Sequence, residues 1–298
     1  MTVSLVPSRA VTPRRRQPSW HLRWSSIEVQ GRHARYGEAG EGTPFIFLHG
    51  WGLSDHTYKR ALGRLARAGV RVIAPSLPGF GGSAPLPGDQ FGLEGYARWV
   101  DDFRAALGID GPWYLGGHSF GGGVAITTAH RHGDDLRLLV LVNSIGGSVW
   151  KRSTRGSRHL ADRPLWDWGI HFPYDVAGPR TFRAVVPVIA RDMARNMLRD
   201  PLGFIRVGRL ASSANLLDEL DELRRRELPV VVLWGDEDRV LPTASMQAMV
   251  EALGNEPEVV PGSHGWLLED PDRFGEIMTN VVGVAEAALA AQDADETV

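Results

Sequence analysis

Gly117-His118-Ser119-Phe120-Gly121 decides how the rest of the chain is read. The apolar run Trp113-Tyr114-Leu115 leads into it, and a small-residue helical pattern, Val124-Ala125-Ile126-Thr127-Thr128-Ala129, leads out. A G-x-S-x-G spacing suits a serine at the tip of a sharp strand-to-helix turn. In such a turn the serine backbone is strained, and the positions two before and two after it pass too close for side chains. The hydroxyl is then held clear of the sheet, above the electropositive start of a helix. With 35 glycines in the chain the five residues alone are ambiguous; the strand before and the helix after make the pattern informative.

Working outward, short apolar runs alternate with helical patterns, as in a mostly parallel sheet covered on both faces. Ser26–Val29 and His33–Tyr36 form an opening hairpin, and Pro44–Leu48 is a fully apolar strand that ends at His49-Gly50-Trp51-Gly52. A helix is expected from about Asp55 to Ala68, a strand over Val70–Pro75, and a helix from Gly92 to Leu107. Beyond the Ser119 turn, Leu138–Val142 and Val230–Trp234 are buried strands, Pro257–Val260 is a last short one, and Phe274–Ala290 is a closing helix. About eight strands result.

The alternation stops between Gly147 and Leu228. This stretch reads as helical, is punctuated by Pro164, Pro173, Pro179, Pro187 and Pro201, and carries Trp150, Trp166, Trp168, Phe172, Tyr174, Phe182 and Phe204. Residues 148–227 hold 15 Lys+Arg against 10 Asp+Glu. Such an insert, placed after the serine, is expected to form a helical cap over it. The domain plan is therefore a flexible basic tail over 1–22, a core over 23–146, the cap over 147–228, the rest of the core over 229–292 and a short tail over 293–298.

A net charge of −2 gives no global field for nucleic acid, and the absence of cysteine rules out disulfides and thiolate chemistry. The arginines at 9, 14, 15 and 16 are not followed by an apolar export segment, and no run approaches eighteen apolar residues. No membrane span is expected, and the protein is placed in the cytoplasm.

A serine nucleophile needs a base, and the base an orienting acid. Past the Val230–Trp234 strand come Asp236, Glu237 and Asp238, and past Val259-Val260 comes His264, followed closely by Trp266. Both loops leave the carboxyl edge of the sheet, where open α/β sheets bind ligands. On position alone the three acids compete. Gly79-x-Gly81-x-x-Ala84 formally fits a dinucleotide fingerprint, but Pro85, Pro87 and Gly88 prevent the helix that motif requires.

Five segments resemble the α/β-hydrolase fold, in its cap-bearing branch, over about Ser26 to Ala290: His49-Gly50-Trp51, Pro78-Gly79-Phe80-Gly81-Gly82-Ser83, the Ser119 pentapeptide, and the pair Gly235-x-x-Asp238-x-x-x-Pro242 and His264-x-x-x-x-Glu269-x-Pro271-x-x-Phe274. The resemblance selects Asp238 among the acids. It implies a Ser119–His264–Asp238 triad, an oxyanion hole from the backbone N–H groups of Trp51 and Phe120, and no metal or organic cofactor. Ser76 stands where the family often has an acid, a departure that concerns loop anchoring. Ser119 itself argues against the aspartate-nucleophile dehalogenase and epoxide-hydrolase branches.

His49, Gly50, His118 and Trp266 are expected to line a substrate pocket, with the rings of Trp51 and Phe120 beside them. The resulting expectation is a serine hydrolase acting through an acyl-enzyme on a small or medium, rather apolar carbonyl substrate, most simply a carboxylic ester. Alternatives are a carbon–carbon bond hydrolase of the meta-cleavage type and a cofactor-free haloperoxidase or perhydrolase. Outside enzymes, the alternative is a ligand receptor built on the same fold.

Overall fold

The computed structural model describes residues 20–132, 135–153, 156–162 and 185–295. Trp166, Trp168, Phe172, Tyr174 and Phe182, and most of the expected 1–22 tail, lie outside the described residues.

Eight strands form one sheet in the order β1-β2-β4-β3-β5-β6-β9-β10. They are β1 (Arg23–Val29), β2 (Arg32–Ala39), β3 (Pro44–Leu48), β4 (Arg71–Pro75), β5 (Trp113–His118), β6 (Leu136–Val142), β9 (Val230–Gly235) and β10 (Glu258–Val260). Strand β2 runs antiparallel to both of its neighbours, and every other pair from β4 to β10 is parallel. The fold class is therefore the α/β-hydrolase architecture that the pentapeptide and its flanks imply.

Burial on both faces explains the fully apolar strands. Successive side chains alternate between two clusters. Ile46, Leu48, Leu115, Leu139 and Leu141 join the cluster under α2 (Leu93–Ala106) and α3 (Phe120–Arg131). Phe45, Phe47, Tyr114, Leu138 and Val140 join the other, under α1 (Lys59–Leu65) and the C-terminal helix α9 (Pro271–Asp295). Within α9, Pro271–Ala291 is long and apolar enough by composition to cross a membrane, with mean hydropathy 1.3. Its Phe274, Ile277, Met278 and Val282 are nonetheless buried in that second cluster, the part played by a core-facing helix.

Three expectations are corrected. The first helix begins at Lys59 instead of Asp55, because residues 54–58 make turns whose side chains bind another helix. The insert does not begin as helix: Val149–Ser153 (β7) pairs antiparallel with Gly156–His159 (β8), where Gly and Ser weaken helix and Val and Trp favour strand.

The insert also ends before 228. Asn215 bridges Gly146 and Gly147, and the Leu216 N–H bonds the Gly146 carbonyl at 2.8 Å, so both ends meet at one neck. Between them α4 (Val186–Arg199) and α5 (Pro201–Ser213) belong to the insert. Helix α6 (Leu217–Arg225) lies past the neck and buries Leu220 and Leu223 in the α2–α3 cluster, as core. Helices α7 (Thr243–Leu253) and α8 (Trp266–Glu269) complete the described chain.

Candidate active site

Ser119 sits between β5 and α3 with φ 54° and ψ −117°, a strained backbone for a residue with a side chain. The flanking glycines are obligatory for a spatial reason. A Cβ on Gly117 would lie 2.3 Å from the Gly121 carbonyl oxygen, and one on Gly121 would lie 2.3 Å from that of Leu48. Gly121→Ala is thus expected to cost roughly 3 kcal/mol and several degrees of Tm. Gly283→Ala, on α9 with open space around the new methyl, is the comparison and should leave Tm unchanged or higher in a thermal melt.

His264 follows β10, and its Nδ1 lies 2.8 Å from Asp238 Oδ2. The carboxylate accepts, so Nδ1 carries the hydrogen and Nε2 is the basic nitrogen. The Asp238 side chain is 1% exposed and accepts three further bonds, from the N–H groups of Val240 and Leu241 at 2.8 Å and from Asn143 Nδ2 at 2.6 Å. Of the competing acids, Asp236 turns to the Gly262 N–H at 3.0 Å.

Asn143 is a residue that the sequence reading passed over. It follows the last residue of β6 at φ 40°, fully buried. Its Oδ1 accepts from the Trp266 indole at 2.9 Å and the Gly235 N–H at 3.2 Å, which leaves Nδ2 to donate to Asp238. A polar residue ending an apolar strand beside the serine strand was the available signal.

A second buried chain joins three loops. The Gly50 N–H donates to the Tyr58 hydroxyl at 3.0 Å, and that hydroxyl lies 2.7 Å from His118 Nδ1. His118 Nε2 lies 2.9 Å from the His264 carbonyl oxygen. Since a carbonyl only accepts, Nε2 carries the hydrogen, Nδ1 is bare, and Tyr58 donates to it. Burial above all, with His264 nearby, drives the His118 pKa down to about 3, so the ring is neutral. Nothing in the sequence around Tyr58 announced this role.

A cavity of about 470 Å³ opens over the serine, lined by Ser119, His118, His264, Gly50 and Trp51 from the core and by Met193, Phe204, Ile205 and others from the insert. No Lys, Arg, Asp or Glu is among its described lining residues. Of the residues named for a pocket, His118 and Gly50 line this cavity. His49, Trp266 and the Phe120 ring do not. The His49 ring takes the Leu77 N–H at 2.8 Å and faces the Gly50 carbonyl, anchoring the loop, with burial lowering its pKa. Trp266 is spent on Asn143, and Phe120 packs edge-on against Tyr96.

The insert also grips the loop after β3. Asp192 of α4 accepts from the hydroxyls of Ser54 and Thr57 at 2.5 and 2.6 Å. Asn196, 3% exposed, donates to the Gly52 carbonyl at 2.9 Å and accepts from the Gly81 N–H at 3.1 Å. The Trp51 indole donates to the Phe204 carbonyl at 2.8 Å and packs against the Phe204 ring at a tilt of 42°. On the core side Ser76 donates to Asp55 at 2.6 Å, the anchoring expected of that departure from the family pattern.

A family model described as the alpha/beta hydrolase family matches residues 45–277, and the chain belongs to that family. A 2-hydroxymuconate semialdehyde hydrolase from Pseudomonas putida is 30% identical over 285 residues, covering 88% of this chain and 94% of the relative. Among solved structures, a thermophilic esterase from Thermogutta terrifontis aligns with a TM-score of 0.68 at 25% identity over 88% of this chain and 99% of that one. A bromoperoxidase from Bacillus anthracis aligns with a TM-score of 0.72 at 20% identity over 88% and 100%, respectively. The chain is thus a hydrolase-fold protein whose relatives carry hydrolase and peroxidase names.

Proposed function

We propose that the chain is a serine hydrolase of small or medium, uncharged, apolar carboxylic esters. The observation that carries this reading is the shared cavity: Ser119 and His264 line one uncharged apolar space, and His264 is anchored from behind by Asp238.

In this mechanism His264 Nε2 takes the Ser119 hydroxyl proton as Oγ bonds to the substrate carbonyl carbon. The carbonyl oxygen becomes an oxyanion, held by the backbone N–H groups of Phe120 and Trp51. An N–H at the first position of a helix has no partner within the helix, which suits Phe120 to the task. Each such donor is worth roughly 3–4 kcal/mol in the transition state. Asp238 holds the imidazole tautomer and stabilises the imidazolium. His264 then protonates the leaving alkoxide, and the acyl-enzyme is hydrolysed by water that His264 deprotonates. The insert acts as a cap that dries the site and shapes the acyl pocket.

The Pseudomonas putida relative supports a second reading, hydrolysis of a muconate semialdehyde. Such a substrate carries a carboxylate, whereas the described lining supplies no cation. A panel of p-nitrophenyl esters from acetate to decanoate, run beside 2-hydroxymuconate semialdehyde and a halide–peracid assay, separates the readings. Preferential turnover of the esters supports ours; turnover of the semialdehyde or halogenation alone overturns it. Fluorophosphonate labelling that is stoichiometric and lost in His264→Ala argues against a receptor.

On this reading Tyr58→Phe lowers kcat roughly 10- to 100-fold with KM little changed. The variant strips the Gly50 N–H of its acceptor and His118 of its donor, loosening the oxyanion loop and the His264 loop together. Steady-state kinetics on a short ester check it, and an unchanged kcat would relegate the buried chain to stability alone.

A further inference from the structure

Two helices of the insert bury one face and leave the other unusually apolar. On α4, Ile189, Met193 and Asn196 turn inward; on α5, Phe204, Val207, Gly208 and Ala211 do. The outward side at the α4–α5 corner carries Leu198 at 78% exposure and Leu202 at 75%, with Met197 and Ile205 about half exposed beside them. Isolated exposed leucines need no explanation, but four large apolar side chains within nine residues form a patch. Met197 and Ile205 also line the cavity over Ser119, so patch and cavity mouth are continuous.

The charges around it have one sign. Arg191, Arg195, Arg199, Arg206 and Arg209 are all exposed on these helices, and among the described residues none makes an ion pair. The two acids of the segment are used internally: Asp192 binds Ser54 and Thr57, and Asp200 caps α5 through the Gly203 N–H at 2.9 Å. An apolar wedge rimmed by arginines is the pattern of a surface that lies in a lipid headgroup region. A second copy of the chain fits poorly, because a two-fold contact through this face would bring the two arginine rims together.

We propose that the α4–α5 corner is a docking surface for an anionic lipid bilayer, with Leu198 and Leu202 entering the acyl boundary and the arginines engaging headgroup phosphates. It holds the cavity mouth against the membrane, so a lipophilic ligand can pass between the two without crossing water. The proposal concerns binding and stands independently of what Ser119 does.

The test is flotation of the full chain with vesicles of phosphatidylglycerol and phosphatidylcholine, and with phosphatidylcholine alone, at low and high salt. The expected result is partition onto the anionic vesicles that weakens with salt, and a loss of about tenfold or more in the double variant Leu198→Glu, Leu202→Glu. Arg195→Gln with Arg199→Gln is expected to cost roughly 25-fold at low salt, about fivefold per cation. Both residue pairs lie outside the cavity lining, so Tm should stay within a few degrees, and a Tm check keeps misfolding separate. Absent flotation, equal binding to neutral vesicles, or undiminished binding by the leucine double variant overturns the proposal. So does a concentration-dependent dimer that those leucine substitutions dissociate, which would make the face a contact between copies.

Discussion

On the proposed function, Ser119→Ala is expected to abolish ester turnover, with kcat falling by ~10⁴-fold or more. The size follows from the division of labour at the site. Without Oγ there is no acyl-enzyme, and His264 and the oxyanion donors are left with only direct attack by water. Folding should survive, because alanine keeps the Cβ and Ser119 contributes to the turn through its backbone: its N–H bonds the Val142 carbonyl at 3.1 Å, and its carbonyl accepts from Gly122 at 3.0 Å. Ester kinetics, fluorophosphonate labelling and a thermal melt on one preparation make the check. Retained turnover with an unchanged melt would remove Ser119 from the chemistry.

Asp238→Asn is expected to have the second largest effect, about 10³- to 10⁴-fold in kcat at neutral pH. The carboxylate accepts four hydrogen bonds, two on each oxygen. If the asparagine oxygen keeps the Val240 and Leu241 N–H groups, its NH₂ meets Asn143 Nδ2 and the His264 Nδ1 hydrogen, donor against donor. The imidazole is relieved by moving its hydrogen to Nε2, the nitrogen that must be bare to take the serine proton. Asp236→Asn is the comparison, since its carboxylate faces the Gly262 N–H. A fall of under tenfold for Asp238→Asn alongside a large one for Asp236→Asn would transfer the orienting role.

The sheet was legible because its strands are buried on both faces and so read as short apolar runs, and because two glycines flank a serine at a spacing few other structures need. The helices of the core were legible in kind, with ends off by a few residues. The insert was legible only as an interruption. Its opening hairpin was missed because Val149–Ser153 is too short and too charged to show a period, and its true end was hidden because the Leu217–Arg225 pattern is equally amphipathic in cap or core. Asp238 was set apart from its acidic neighbours only by the family resemblance, whereas Ser119 and His264 stood out through their order and positions at strand ends. Asn143, Tyr58, Asp192 and Asn196 did not, since their roles depend on which loops meet in space. Trp266 was assigned to the pocket by its nearness to His264 in sequence, whereas its indole hydrogen is committed to Asn143.

The grip of Asp192, Asn196 and Phe204 on residues 51–57 ties selectivity to rate. The side chains that choose what fits over Ser119 ride on the very helices that brace the Trp51 amide. Exchanging or redesigning α4 and α5 to admit a new acyl group would therefore disturb turnover for every substrate at once. Evolution of this chain toward another substrate would have to preserve those three anchors while varying Met193, Met197 and Ile205, a partition that a library confined to the three variable positions would exploit.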